Sequence, residues 1–506
     1  MKNTLVISLF LLTLPTGINA QWQLSGELRT RTEFRDGAGT LKLKGNSASV
    51  FTSQRSRMTI DYRLARVVFH SSVQDVRVWG QDASTISTAD GSKFSVHEAW
   101  AEIVLADRND SAFHHSPVDY LAVKIGRQEL SYDDQRLVGG LDWLQQARRH
   151  DAAVVKFRKK GWQVDLGAAF NQNTDAFNYN GTFYTPANVL PYLKDSKGNL
   201  APAPAGFIPL VNAAGLSDPK GAPAVQGPAS TNGGYQDYKA LQFLYAARTF
   251  NKTRISLLTL ADEFGKYTND SVANRAGADT GYIYGKYFNR KGVNTRITAG
   301  LYLTSHLDAA EALLLTAGFY YQTGRDRDAL HLSAWTSTIS VAYAFSGMRA
   351  TVGWDRLSGN NAFSASATNH RFDPLYGTPH KFWGNMDYFY VSTGAPSGGL
   401  SNPFVKGKYA TKRLSIEWAY HYFALANHQK AADGRPLKKY LGSEWDWVSS
   451  WSVNNATKLE VGCSLMAATR SMEYAKNIAP GAANLTGWWS YLMITILLNN
   501  HQNIQK

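Results

Sequence analysis

Arginines recur two residues apart near the start of the chain, Arg29 with Arg31 and Arg55 with Arg57, followed by Arg63 and interleaved with Glu27, Glu33 and Asp61. Side chains two apart share one face of an extended strand. A guanidinium keeps its charge at every physiological pH and forks onto carboxylates. A surface built this way attracts anions and lets them go, and supplies no nucleophile or proton shuttle. The same parity adds Asp75, Arg77, Glu98, Glu102, Lys124, Lys156, Asp165, Arg248, Arg254, Arg296, Asp355, Arg413, Glu417, Glu444, Asp446, Lys458 and Glu460 to the face expected to meet water. Most of these are expected to be ion pairs bracing a wall, and the remainder to meet solute.

Sites for other chemistry are missing from the sequence. There is no Gly-x-Ser-x-Gly, no P-loop and no Gly-x-Gly-x-x-Gly. His97-Glu98-Ala99-Trp100-Ala101 lacks the second histidine of a zinc-protease helix, and its parity reads as strand. His114-His115 and His380 fall in loops. The single cysteine, Cys463, excludes an internal disulfide framework and shares the apolar parity of Leu459, Val461 and Leu465. Neither an enzyme nor a cofactor or metal is expected.

The elements that must position the charges show best at 22–34. Trp22, Leu24, Gly26, Leu28, Thr30, Thr32 and Phe34 take one face, and Glu27, Arg29, Arg31 and Glu33 the other. A cation turned to lipid at mid-membrane costs ~2–4 kcal/mol in a barrel, so the charged face turns inward and its neighbours outward. The N-terminus reads as a secretory leader: Lys2, an apolar run over 5–14, and Ile18-Asn19-Ala20 at the cleavage site, placing the mature start at Gln21. No later run approaches the ~18 apolar residues of a membrane helix. The 14 Trp, 26 Tyr and 23 Phe suit interfacial girdles at strand ends. The surplus of 53 Lys+Arg over 39 Asp+Glu is scattered along the strands, which argues against a nucleic-acid face.

This reading gives an all-β chain, a single transmembrane antiparallel β-barrel of 18 strands. They span 22–34, 51–64, 67–79, 95–105, 119–127, 148–158, 161–171, 238–249, 252–262, 294–305, 311–323, 334–345, 349–357, 381–390, 411–424, 440–451, 456–467 and 488–498. A nineteenth strand-like run, 279–289, is assigned to a hairpin arm inside a loop 263–293, because bacterial barrels carry an even strand number. Short turns at 64–66, 159–161, 250–252, 346–348 and 454–455 mark the periplasmic end. Two turns at that end, 106–118 and 391–410, are long, and 391–410 is flexible enough to plug the barrel. The Pro-, Ala- and Gly-rich segment 172–237 is expected to be an extracellular loop folding over the mouth. The domain layout is a signal peptide over 1–20, one barrel over 21–498 and a polar tail over 499–506.

Several segments resemble the bacterial alginate-export family of outer-membrane channels. They are Lys124-Ile125-Gly126-Arg127-Gln128-Glu129-Leu130, Asp134-Gln135-Arg136-Leu137-Val138-Gly139 with Trp143, and Val73-Gln74-Asp75-Val76-Arg77-Val78-Trp79-Gly80. Later come Phe319-Tyr320-Tyr321-Gln322-Thr323-Gly324, Leu357-Ser358-Gly359-Asn360, Phe372-Asp373-Pro374-Leu375-Tyr376 with His380-Lys381-Phe382, and Leu441-Gly442-Ser443-Glu444-Trp445-Asp446. The resemblance implies a monomeric 18-stranded barrel with an arginine-rich lumen, exporting a polyuronate in the founding case past an extracellular loop and a periplasmic turn. Arg127 and Arg136 of its motifs join the expected pore-lining set. The chain departs from the usual barrel ending, closing its last strand on Leu497-Leu498 before a polar run.

The expected function is a passive outer-membrane channel for anionic or polar solutes, of the uronate or oligosaccharide kind. Outer-membrane lipid, lipopolysaccharide and the solute are its partners, nucleic acid is not, and no periplasmic partner is identified. The alternatives are an adhesin or scaffold displaying 172–237, whose lumen would be closed by paired charge, and a barrel hydrolase.

Overall fold

The computed structural model describes all residues except 1–20, 81–93, 111, 113–114, 173–184, 187–188, 226–237, 276–278, 390–395, 432 and 500–506. The expected leader with its cleavage site, His114 and 500–506 of the polar tail lie outside the described residues.

Eighteen strands form the wall: β1 (Gln21–Asp36), β2 (Ser49–Leu64), β3 (Val67–Val78), β4 (Phe94–Asp107), β5 (Tyr120–Gln128), β6 (His150–Lys159), β7 (Trp162–Phe170), β8 (Ala240–Phe250), β9 (Thr253–Asn274), β10 (Gly281–His306), β11 (Leu313–Arg325), β12 (His331–Phe345), β13 (Met348–Leu357), β14 (Leu400–Ala410), β15 (Leu414–Ala424), β16 (Tyr440–Ser452), β17 (Thr457–Ala468) and β18 (Thr486–Asn499). Each pairs antiparallel with the next, and β1 closes on β18 from Ser25↔Asn499 to Asp36↔Trp488. Closure leaves no sheet edge, which is what lets strands cross lipid.

Side-chain alternation sets the two faces. Trp22, Leu24, Met58, Leu166, Leu301, Val352 and Trp447 stand exposed on the outside, while Arg29, Arg31, Arg55, Asp165 and Arg296 are buried inside. Trp22 and Tyr62 (centroids 4.3 Å apart) sit outward at the short-turn end, and Trp79, Trp354 and Trp488 outward toward the other end. Cys463 is half-buried and free, on the outward parity opposite buried Ser464 and Met466. At the tight turns Lys160-Gly161 (φ +47° and +79°) and Ser346-Gly347 (φ +44° and +76°), two successive left-handed residues match the strand twist.

The strand number is as expected, and two assignments differ. The run 279–289 does form a hairpin arm, but as the continuation of β9 and β10 past the wall and not inside a loop 263–293. The run 381–390 is not a strand, and 400–410, read as a plugging turn, is β14. The misassignment has a physical cause. Trp383, Met386, Tyr388 and Phe389 give 381–390 the composition of a strand, but those side chains fill the barrel interior. Pro403 gives 400–410 the look of a turn, and β14 accommodates it where pairing to β15 skips from Ser401↔Ala424 to Phe404↔His421.

Shifting that strand moves the long connection to the other end of the barrel. Residues 129–149 and 372–389, from two connections at the long-loop end, fold into the interior. There Leu137, Val138, Phe372, Leu375, Tyr376 and Trp383 pack against wall residues Leu241, Phe243, Tyr245 and Leu357. The lumen is therefore partly apolar, and not polar throughout as the alternation alone suggested. At the neck of the second loop a Cβ on Gly359 would fall 1.9 Å from Gly399 N, so only glycine lets the two ends cross. The described part of 172–237 lies on the β9–β10 extension: a hairpin of Tyr192–Lys194 with Leu200–Pro202, and Phe207–Val211 paired to β10.

Candidate solute path and its inserted loops

β1 and β2 aim their arginines at the first inserted loop. Arg29 Nε donates to Gln145 Oε1 (2.9 Å) and its Nη1 to Asp142 Oδ2 (3.2 Å). Arg55, with no exposed surface, donates to Asp142 Oδ1 (2.8 Å) and Glu27 Oε1 (2.5 Å). Arg57 donates to Gln74 Oε1 (2.9 Å), and its Nη1 lies 3.7 Å from Asp142. Arg31 donates to Glu33 (2.9 Å) and to Trp143 O (2.7 Å), with its Cζ 4.1 Å from the Trp143 centroid. Burial would raise the Asp142 carboxyl, but Arg55 and Arg29 outweigh it and hold the group below the usual carboxylate range.

The opposite wall holds both loops. Arg296 on β10 lies between Asp262 of β9 (2.5 Å) and Asp373 of the second loop (2.7 Å), and Tyr376 donates to Asp262 (2.7 Å). Burial works against the Asp373 carboxylate too, and Arg296 with Arg327 pulls it below the ordinary range. Arg136 of the first loop reaches Asp355 on β13 (3.2 Å), Asp134 (3.3 Å) and Thr338 (3.3 Å). Tyr245 and Ser256 both donate to Asp133 (2.7 Å each). The loops join each other through Val138↔Tyr376, Thr378 N–H to Gln135 O (2.8 Å) and Arg148 to Gly377 O (2.5 Å).

The other expected site residues are mostly paired as well. Asp61 holds His70 (2.7 Å), which lies 3.5 Å from Glu98, and Glu98 accepts the Glu129 N–H (2.7 Å). Glu102 accepts from Lys156 and Tyr120, Lys124 Nζ sits 3.8 Å over the Trp100 ring, and Arg158 pairs with Asp165 (2.6 Å). Arg254 donates to Gln163 (3.1 Å) and Tyr245 (3.2 Å). Glu444 is fully buried and accepts the Met386 N–H (2.8 Å). Arg63 stays exposed, in the short-turn half of β2.

Four residues assigned to the lumen point the other way. Gln74 bonds inward to Arg57 and to Gln146 O of the inserted loop, so Asp75 and Arg77, one and three residues further on, face outward, paired with each other (2.6 Å). Arg127 pairs with Asp151 (2.8 Å) on the outward parity of β5 and β6. Arg248 alternates with buried Ala247 and lies over Trp162 and Phe250 at the short-turn end. In each case an ion pair or an aromatic ring carries the charge that parity alone could not place.

Below the inserted loops a cavity of about 610 Å³ opens among β13 to β17 and the short turns. Seven cations line it, Arg349, Lys381, Lys406, Lys408, Lys412, Arg413 and Lys458, against the carboxylates Glu417, Asp446 and Glu460. Lys408 pairs with Glu417 (2.7 Å) and Lys458 with Glu460 (2.8 Å). Arg349, Lys412 and Arg413 form no ion pair among the described residues. Trp143 and His380 border the cavity as a parallel stack (centroids 4.1 Å, 6°), with Tyr491 edge-on to Trp143 at 5.1 Å. Sequence reasoning named Arg413, Glu417, Asp446, Lys458 and Glu460 here and missed Arg349, Lys381, Lys406, Lys408 and Lys412. The signal for two of them was the alternation Val405-Lys406-Gly407-Lys408-Tyr409, hidden by the reading of 391–410 as a turn.

The family described as alginate export matches residues 20–185, a stretch holding β1 to β7 and the first inserted loop, so the resemblance seen in the sequence holds there. No curated protein matches the chain. Solved structures share the fold. Pseudomonas aeruginosa OccK1 (OpdK) aligns with a TM-score of 0.53 at 11% identity, covering 94% of this chain and 98% of that one. Acinetobacter baumannii OccAB4 aligns at 0.53 and 10%, covering 95% and 98%, and a BenF-like porin from Pseudomonas fluorescens Pf-5 at 0.52 and 12%, covering 94% and 98%.

Proposed function

We propose that this transmembrane barrel is an outer-membrane channel for anionic solutes, uronates or other acidic oligosaccharides, with its short-turn end in the periplasm. The cavity beside Arg349, Lys412 and Arg413 is the observation that carries the reading. Unneutralised cations at a pore mouth raise the local concentration of anions without binding them tightly enough to stop them leaving. The two inserted loops are the constriction, and Trp143 with His380 marks where solute leaves the cavity and meets them. Arg29, Arg55, Arg136 and Arg296 hold the loops and do not touch solute.

A second reading, a barrel that only anchors the β9–β10 extension and the loop packed on it, is favoured by the paired charge of the upper lumen. Planar-bilayer recording separates the two, since the channel gives stable anion-favouring openings and the anchor gives silence. Flux into liposomes then tests the solute: uronate oligomers are expected to enter faster than neutral sugars of equal size. Vanillate, bound in one OpdK structure, serves as the small-carboxylate comparator. Equal rates for neutral sugars and uronates would remove anion preference from the proposal.

A further inference from the structure

A second cavity, of about 800 Å³, lies at the long-loop end and takes no part in the solute path. Its floor is Ser333 and Trp335 of β12 and Arg356 of β13. These alternate with residues that face the lumen: Ala334 and Thr336 are buried, and Asp355 pairs with Arg136 inside. The floor is thus on the outer surface of the wall, where Phe319 and Trp335 stack (6.1 Å) and Trp354 stands exposed. The overhanging wall is the excursion 360–371, tied back by His370 Nδ1 to Ser333 O (2.7 Å), with its two ends joined by Asn360 Nδ2 donating to Asn369 Oδ1 (3.2 Å).

The chemistry of the lining is one-sided. Arg356, Arg371 and His370 line the cavity, the remaining polar groups are amides and hydroxyls, and no carboxylate is among the described lining residues. The Arg356 guanidinium lies 5.4 Å from the Trp335 centroid and 5.9 Å from Trp354, and its buried Nε has no hydrogen-bond partner. A buried guanidinium N–H without an acceptor costs free energy unless a ligand supplies one. An anionic acceptor matches it best, because the guanidinium fork and the absence of acid in the described lining favour a phosphate or carboxylate. Amides, hydroxyls and an indole face around it suit a sugar ring. The position, outward and at the aromatic edge of the apolar belt, suits a headgroup held in the membrane surface.

We propose that this cavity binds the phosphorylated sugar headgroup of an outer-leaflet glycolipid, with Arg356 on the phosphate and Trp335 against the sugar. The inference rests on the long-loop end facing outside, as in the channel reading. The full-chain barrel, refolded in detergent, is mixed with bisphosphorylated lipid A, with its dephosphorylated form and with glucosamine 6-phosphate, and the retained ligand is read by native mass spectrometry.

Wild type is expected to retain the bisphosphorylated lipid. Arg356→Gln should bind it about tenfold more weakly, the scale of one charge-assisted hydrogen bond. Arg356→Lys should fall between the two, keeping the charge and losing the fork. Equal binding by Arg356→Gln, or equal retention of the dephosphorylated lipid, overturns the assignment. Glucosamine 6-phosphate competing as strongly as the lipid overturns the glycolipid source. Conductance of Arg356→Gln should match wild type. A silent barrel that still retains the phosphorylated lipid defeats the channel alone, and a conducting barrel indifferent to it defeats this site alone.

Discussion

Two parts of the interior carry the same charge and use it differently. Along β1, β2 and β10, inward arginines meet carboxylates brought by inserted loops, Arg29 and Arg55 with Asp142 and Arg296 with Asp373. Along β13 to β15 and the turn between the last two, Arg349, Lys412 and Arg413 face an open cavity and meet none. A cation on the wall of a barrel is thus a fastening where a loop delivers a counter-charge and an attracting surface where no loop arrives. The arginines are buried while Asp142 stays exposed, and such pairs need not add net stability, since desolvation of the cation offsets much of the Coulomb gain. What they add is register: Asp142 and Asp373 have one place to go, and the loops carrying them lie across the lumen in one way.

The largest effect is expected from breaking a fastening. Arg296→Ala leaves Asp262 buried without its counter-charge, and loss of one partner of a buried pair costs about 3–5 kcal/mol. The urea midpoint for unfolding should fall accordingly, and single-channel conductance should rise as the second loop loosens. An unchanged midpoint would show the pair to be solvated. On the open side the effect is on selectivity and not on stability. Reversing Arg349, Lys412 and Arg413 together to Glu should leave the unfolding free energy in urea within about 1 kcal/mol of wild type, the scale of exposed charges. It should also shift the reversal potential from anion- to cation-favouring. If selectivity stays put while the triple variant folds, solute does not pass these residues.

Much of this contrast was legible in sequence, and the part that was not has a definite cause. Period-two alternation at 22–34 and 51–64 placed Arg29, Arg31, Arg55 and Arg57 inside, because a strand's parity is local and an unpaired cation facing lipid at mid-membrane is costly. The inserted loops were invisible to that test. Asp142 and Asp373 lie in segments without periodicity, and the arginines that hold them, Arg55 and Arg296, are more than 70 residues away in the chain. Charge alone misled at β3. Its alternation is regular, with Ser72 and Gln74 buried inside, and Asp75 and Arg77 face outward because their mutual ion pair carries the charge. Aromatic residues misled at 381–390, since a loop packed inside a barrel needs the same side chains as a strand in its wall.

The smallest expected effect is also the most selective between the two regions. Asp142 and Asp373 titrate below the ordinary aspartate value of 3.8. A carboxylate whose folded value is depressed contributes stability above its unfolded value and loses it as the pH falls through the folded one. The fastenings should therefore hold unchanged from pH 7 to about 4 and weaken only below that. Single-channel conductance recorded at pH 7, 5 and 3 should be flat over the first interval and rise over the second. Arginine and lysine side chains in general are cationic over this range, so anion preference should not decline with the acid. A conductance step between pH 7 and 5 would assign loop movement to groups other than these aspartates. A loss of anion preference at pH 3 would mean that the selecting cations are not where the open cavity puts them.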